Sequence, residues 1–384
     1  MGNLISPPQK ESFVLVPPRF SVRGLTRVME YENPMNLYFG DLFRQEVLND
    51  LHNFRGTAAI DLLIAPEIPP TASAHVSLSG STLTKSVDHG ELHLHFHNNL
   101  AETIRAVGRL SIGSSVGVTG FGILSKVIEK GKLSLTFARD SDGFKNVGIR
   151  GESGSFLMGM EIPESVESTH AWMISRLSKE FYVGMSAFPV SAWKNIDSPL
   201  ILKGSLEKRI PGTDSSYCVS SSFNLPSSEL TLGFSQHLVT HRKIYNLLED
   251  KRVKFIANYV DIAVEASSST SQASNSSGLT RVAAGVSWQP NKNVLIKLHA
   301  STNQGIVSTL AVRNWWLPSA LVAVSAGVGV GGTPFIGGRF QLSNWLTSAE
   351  YEKGQPISAL PTTRWLTTAD VDRFSARNHI NASV

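Results

Sequence analysis

A chain of 384 residues has ample length for one large domain, and only 17% of those residues are charged, against roughly 25% in typical soluble proteins. A formal net charge of +4, spread along the chain, excludes the concentrated basic footprint of a nucleic-acid-binding protein. A single cysteine, Cys218, excludes an intramolecular disulfide and offers no metal-binding motif.

Residues 1–32 carry Pro7, Pro8, Pro17 and Pro18 and read as an extended or disordered segment. They show no basic stretch followed by an apolar core, so no secretory signal is expected. Arg19, Arg23 and Arg27 suit a transit peptide, but Glu11, Glu30 and Glu32 do not. The start MGNLIS matches a myristoylation signal at Gly2 with Ser6, against which Pro7 follows directly.

Residues 33–54, NPMNLYFGDLFRQEVLNDLHNF, predict an amphipathic helix with Asn33 as N-cap and Pro34 as first helical residue. Phe39, Phe43, Val47, Leu51 and Phe54 recur on one face, while Asp41, Arg44, Glu46 and Asp50 supply polar positions around it. An ordinary packed helix and a helix lining a lumen give the same periodicity.

From about residue 56 to 344 the pattern is alternation, the signature of strands. In ELHLHFHNN, Leu92, Leu94 and Phe96 oppose Glu91, His93, His95 and His97. Residues two apart on a strand lie roughly 6.8 Å apart, so His93 and His95 can share an ion but His97 can hardly join them. Without further ligands no metal site is expected. In KLSLTFA, Leu133, Leu135 and Phe137 oppose Lys132; in PLILKGSLEKR, Leu200, Leu202 and Leu206 oppose Lys203, Glu207 and Arg209. Leu230, Leu232 and Phe234 oppose Thr231 and Ser235, and Ile256, Val260, Ile262 and Val264 oppose Tyr259, Asp261 and Glu265. Further on, Ile296 and Leu298 oppose Lys297 and His299, and Ile336, Phe340 and Leu342 oppose Arg339 and Gln341. Turn stretches such as EKGK, DSDG, QPNKN, TNQG and GGTP separate the runs, and 267–278 is a low-complexity loop expected to be mobile. No run of alternating helices appears, so the strands predict an antiparallel meander.

The longest charge-free stretch, 314–338, is interrupted by Pro318 and Pro334, and its valines alternate with small residues. It predicts two strands and a glycine turn rather than a transmembrane helix. Two catalytic motifs lack their context. Gly113-Ser114-Ser115-Val116-Gly117 matches G-x-S-x-G but is followed by strand pattern, and Gly327, Gly329 and Gly332 match G-x-G-x-x-G with no helix to follow. No enzyme activity and no cofactor is expected.

A meander of this kind either buries its apolar face in a soluble core or turns it to lipid. Low charge, long apolar faces and tryptophans near strand ends (Trp193, Trp288, Trp315, Trp316 and Trp345) favour lipid. A soluble β-rich protein with the same tryptophans in its core is the competing expectation. Roughly 290 residues at about 15 per strand and turn give about 19 strands.

An amphipathic helix, about 19 alternating strands and a last strand FIGGRFQL, with Gly337 followed by Phe340 and Leu342, resemble the eukaryotic porins. That family includes the voltage-dependent anion channel and the outer-membrane protein translocase pore. Phe335 stands where the family's barrel-assembly signal has a polar residue. The resemblance covers 33–344 and implies an all-β transmembrane antiparallel barrel with the helix inside its lumen. Organisation follows: an extended segment over 1–32, a helix over 33–54, a barrel over 55–344 and a tail over 345–384. The implied location is the mitochondrial outer membrane or the plastid outer envelope. The implied partners are the bilayer and other outer-membrane proteins.

The candidate lumen face carries Glu91, His93, His95, His97, Lys132, Lys203, Glu207, Arg209, Asp261, Glu265, Lys297, His299, Arg313 and Arg339. Phe39, Phe43, Val47 and Leu51 mark the lumen helix. That balance predicts a pore for small solutes with a weak preference for anions, in which the histidines of residues 93–97 make conductance pH-sensitive. A protein-translocation pore and a non-conducting membrane scaffold remain alternatives.

Overall fold

The computed structural model describes residues 13–16, 20, 35, 39–52, 57–64, 72–81, 86–101, 104–112, 116–128, 131–140, 143–153, 155–163, 169–178, 180–187, 200–210, 215–225, 228–243, 253–269, 281–314, 318–343 and 352–356. Across 81–132 the description is of backbone alone. The described residues are mostly strand. β1 (Phe13–Val16) precedes the helix α1 (Asp41–Leu48), after which come β2 (Thr57–Ile64), β3 (Ala72–Ser81), β4 (Ser86–Ala101), β5 (Ile104–Ile112), β6 (Val116–Ile128), β7 (Gly131–Asp140), β8 (Gly143–Ser153), β9 (Phe156–Pro163) and β10 (His170–Arg176). The second half holds β11 (Phe181–Ala187), β12 (Leu200–Arg209), β13 (Ser216–Asn224), β14 (Glu229–Lys243), β15 (Val253–Ser269), β16 (Arg281–Asn291), β17 (Val294–Ser301), β18 (Gly305–Asn314), β19 (Ser319–Val328), β20 (Pro334–Ser343) and β21 (Glu352–Pro356).

All belong to one sheet. From β2 to β20 each strand pairs antiparallel with the next in sequence. The first strand of this run, β2, also pairs in parallel with the last, β20, from Ala58↔Gly338 to Leu63↔Ser343. The charge-free stretch is the hairpin β19–β20. Gly331 and Gly332 take positive φ in its turn, so the G-x-G-x-x-G match leads into a strand. The G-x-S-x-G match likewise leads into β6, and its residues 113–115 lie outside the described residues.

Alternation sets the two faces apart in an unusual sense. On β18 and β19 the apolar Leu310 and Val324 are each 50% exposed, while Thr309 and Ser325 are completely buried. The same holds along Leu202, Leu206, Leu232, Val286, Leu298 and Val322, all exposed, against Ser205, Ser235, Ser287, Lys297, His299 and Arg313, all buried. A soluble sheet hides its apolar face and wets the polar one; this sheet does the reverse. α1 and its flanks lie on that polar face.

The expected helix over 33–54 is not continuous: Met35 is helical, and a break separates it from α1. Phe39 (φ 70°) and Gly40 (φ 72°) take left-handed backbone ahead of Asp41, and Leu51 (φ 63°) ends the turn that follows Leu48. Two consecutive left-handed residues cannot belong to a right-handed helix. Gly40 takes the N-cap position with no side-chain cap; Asn33, Pro34 and Phe54 lie outside the described residues. Phe39, Phe43, Val47 and Leu51 are all buried, as the spacing predicts. Arg44 and Asp50, expected at polar positions around the apolar face, are buried too, because the wall they meet is itself polar. Within the segments expected as an extended stretch (1–32) and a tail (345–384), β1 and β21 are strands.

Candidate functional site

The polar wall under α1 is built by register. Directly opposed residues form one row across neighbouring strands: Arg209, Ser216, His237, Asp261, Ser287, Lys297, Thr309, Ser325 and Gly337. Two residues along, the parallel row reads Glu207, Cys218, Ser235, Ala263, Gly285, His299 and Val307. Its middle is small, and that is where the helix lies. A Cβ on Gly285 would stand 3.0 Å from Leu48 Cδ2 and 3.5 Å from Val47 Cγ1, and one on Gly184 would stand 2.6 Å from Phe39 Cζ. Phe43, Val47 and Leu48 form one apolar cluster with Cys218, Ala263 and Ala283. Met35 and Phe39 form another with Leu157, Trp172, Ile174 and Tyr182.

Polar contacts fix the helix at both ends. Lys203 Nζ donates to Asp41 Oδ2 at 2.7 Å and to the Met35 carbonyl at 2.8 Å. Arg44 pairs with Asp41, donates to Ser220 Oγ, and lies 3.6 Å from Glu265 Oε2. At the other end Lys297 Nζ donates to the carbonyl oxygens of Glu46 and Asp50. Just beyond, His52 Nδ1 bonds Thr309 Oγ1 at 2.8 Å, Thr309 bonds Ser325 at 2.7 Å, and the His52 and His299 rings lie 5.6 Å apart. Wall residues also pair among themselves: His237 with Asp261, and Arg339 Nε with Asp61 Oδ2 at 3.1 Å. Arg313 donates to Gln341 Oε1 at 3.0 Å and stacks under the Phe20 ring, 5.6 Å from its centroid.

The structure thus brings Lys203, Asp261, Glu265, Lys297, His299, Arg313 and Arg339 onto the helix side of the sheet, with Glu207 in the Cys218 row. The side chains of Glu91, His93, His95, His97, Lys132 and Arg209 lie outside the described residues, as do Trp193, Trp315, Trp316 and Trp345. Backbone register alone puts His93 opposite His75 on β3 and Ser111 on β5, and His95 opposite Arg109. Trp288 is exposed on the face away from α1, near the end of β16. Among the described residues no group of three metal-ligating side chains converges.

Sequence reasoning missed Arg44 as the hub, together with His237, Thr309, Asp61 and Phe20. His237 and Thr309 share the parity of Ser235 and Arg313, so extending the alternation by two residues from the first and four from the second finds both. Nothing in the sequence marks Phe20. No protein-family model matches the chain, and no curated protein matches it in sequence.

Proposed function

We propose that β2–β20 close into a transmembrane barrel of the kind the eukaryotic porins build, with α1 along one wall of a lumen that passes small solutes. The observation that carries this reading is the inverted burial of the sheet: valines and leucines outward, serine, threonine, lysine and arginine inward. Water gives such a surface no reason to form; a bilayer does. The parallel pairing of β2 with β20 supports closure, because lipid tolerates no open strand edge. The helix packs on β14, β15 and β16, along one stretch of that wall. On that wall Lys203, Lys297, Arg313 and Arg339 stand against Asp61, Glu207, Asp261 and Glu265, so the weak anion preference rests on the chain's formal net charge of +4. The location implied is an outer membrane of mitochondria or plastids.

The anchoring of α1 at Lys203, Arg44 and Lys297 favours a second reading, a scaffold whose helix never leaves and whose lumen does not conduct. Planar-bilayer conductance of the refolded protein, with reversal potential in a salt gradient, separates the two. Large, weakly anion-selective steps are expected; a folded, inserted sample that passes no current contradicts the pore.

A further inference from the structure

Strand β15 outruns one of its neighbours. It pairs with β14 from Phe255↔Lys243 to Ser269↔Glu229, but pairing with β16 begins only at Tyr259↔Gln289. Residues 253–258 therefore project past β16 with one backbone edge that β16 does not cover. An uncovered edge is a template for another strand. Here β1, sequence FVLV, fills it in parallel, with Phe13 beside Val253, Val14 beside Phe255 and Leu15 beside Ile256. On the far side of β1 runs β21, antiparallel, with Leu15 beside Lys353 and Val16 beside Glu352. Four residues after β1, Phe20 is buried among Leu51, Leu295, Ala311 and Leu321 and lies over Arg313.

We propose that the projecting edge of β15 is a docking site for an extended apolar segment followed by an aromatic residue, and that residues 13–20 hold it as a built-in, exchangeable occupant. The contact between the occupant and β15 is short. The occupant is four residues long, it pairs in parallel, and its register slips between Phe13 and Val14. It also stands outside the β2–β20 run, so its departure breaks none of that run's pairings. Strand addition supplies sequence-tolerant backbone bonds, and the pocket over Arg313 supplies the selective anchor. A partner in trans must outcompete a tethered segment, whose effective concentration is of millimolar order. The site does not depend on whether the lumen conducts.

The test uses the full chain in bilayers, native and as Val14→Pro, which removes a backbone donor from the centre of β1. Hydrogen exchange is expected to show amides 253–258 and 352–356 losing protection in Val14→Pro, while β16–β20 keep theirs. A labelled peptide ESFVLVPPRF, residues 11–20, is expected to bind Val14→Pro at least about tenfold more tightly than the native chain. The same peptide with alanine for its last phenylalanine is expected to bind more weakly. Full-length Phe20→Ala, which leaves the backbone of β1 intact, is expected to take up the peptide better than the native chain. Equal or absent peptide binding in native and variant chains overturns the proposal, as does unchanged protection of 253–258. Dimerisation of Val14→Pro without peptide uptake assigns the edge to a second copy and equally overturns it.

Discussion

Lys297 reaches from β17 to the backbone carbonyls of Glu46 and Asp50 and closes the C-terminal end of α1. The last carbonyls of a helix have no partner within it and carry the negative end of its dipole, so a buried ammonium is the complement they need. Because α1 has only eight residues, it is too short to persist without such contacts. Lys297→Met keeps the stem and removes both bonds. We expect the helix end to lose about 1.5–3 kcal/mol, read as at least tenfold faster amide exchange around 46–52 with the β17 ladder unchanged.

At the other end, Lys203 and Asp41 are coupled through their 2.7 Å contact. A double-mutant cycle with Lys203→Met and Asp41→Asn is expected to give an interaction energy of about 0.5–3 kcal/mol. Additive single effects would mean that the pair does not fix the helix start.

Gly285 forms the floor on which Val47 and Leu48 rest. Any Cβ there meets Leu48 at 3.0 Å and the Leu298 carbonyl at 3.3 Å, and the carbonyl is part of the ladder and cannot yield. Gly285→Leu is therefore expected to push α1 off the β14–β16 wall. Raised exchange across 41–48 together with altered single-channel conductance is the expected result.

The outer face predicts the opposite sensitivity. Leu310 stands half exposed between Ser308 and Val312 on the face assigned to lipid. Leu310→Arg is expected to cost about 2–4 kcal/mol in bilayers if it lies near mid-depth. Less of the variant should resist alkaline extraction. A soluble protein would tolerate the same change on its surface within about 0.5 kcal/mol.

The strands were legible because alternation is a property of each segment by itself: one apolar face and one polar face declare both element and side. That is why Lys203, Lys297, His299, Arg313 and Arg339 could be assigned to one face before any pairing was known. The helix boundaries were not, since the apolar spacing of Phe39, Phe43, Val47 and Leu51 continues through left-handed residues that only the fit to the wall requires. Nor were the wall partners of Arg44, Ser220 and Glu265, which lie on strands more than 170 residues away and depend on register. β1 was hidden by the prolines on either side of it, and its pairing with β15 lies where β15 overshoots β16. ELHLHFHNN is a strand by backbone, as its alternation predicts.

The central claim is that lipid, not water, covers the exposed apolar face. A nitroxide scan of residues 306–313 on a Cys218→Ser background, with the protein in bilayers, tests it most directly. We predict that labels at 306, 308, 310 and 312 collide with lipid-dissolved oxygen and are shielded from a water-soluble nickel chelate, while those at 307, 309, 311 and 313 show neither pattern. Free access of the nickel chelate to 308, 310 and 312 would place that face in water and contradict the account.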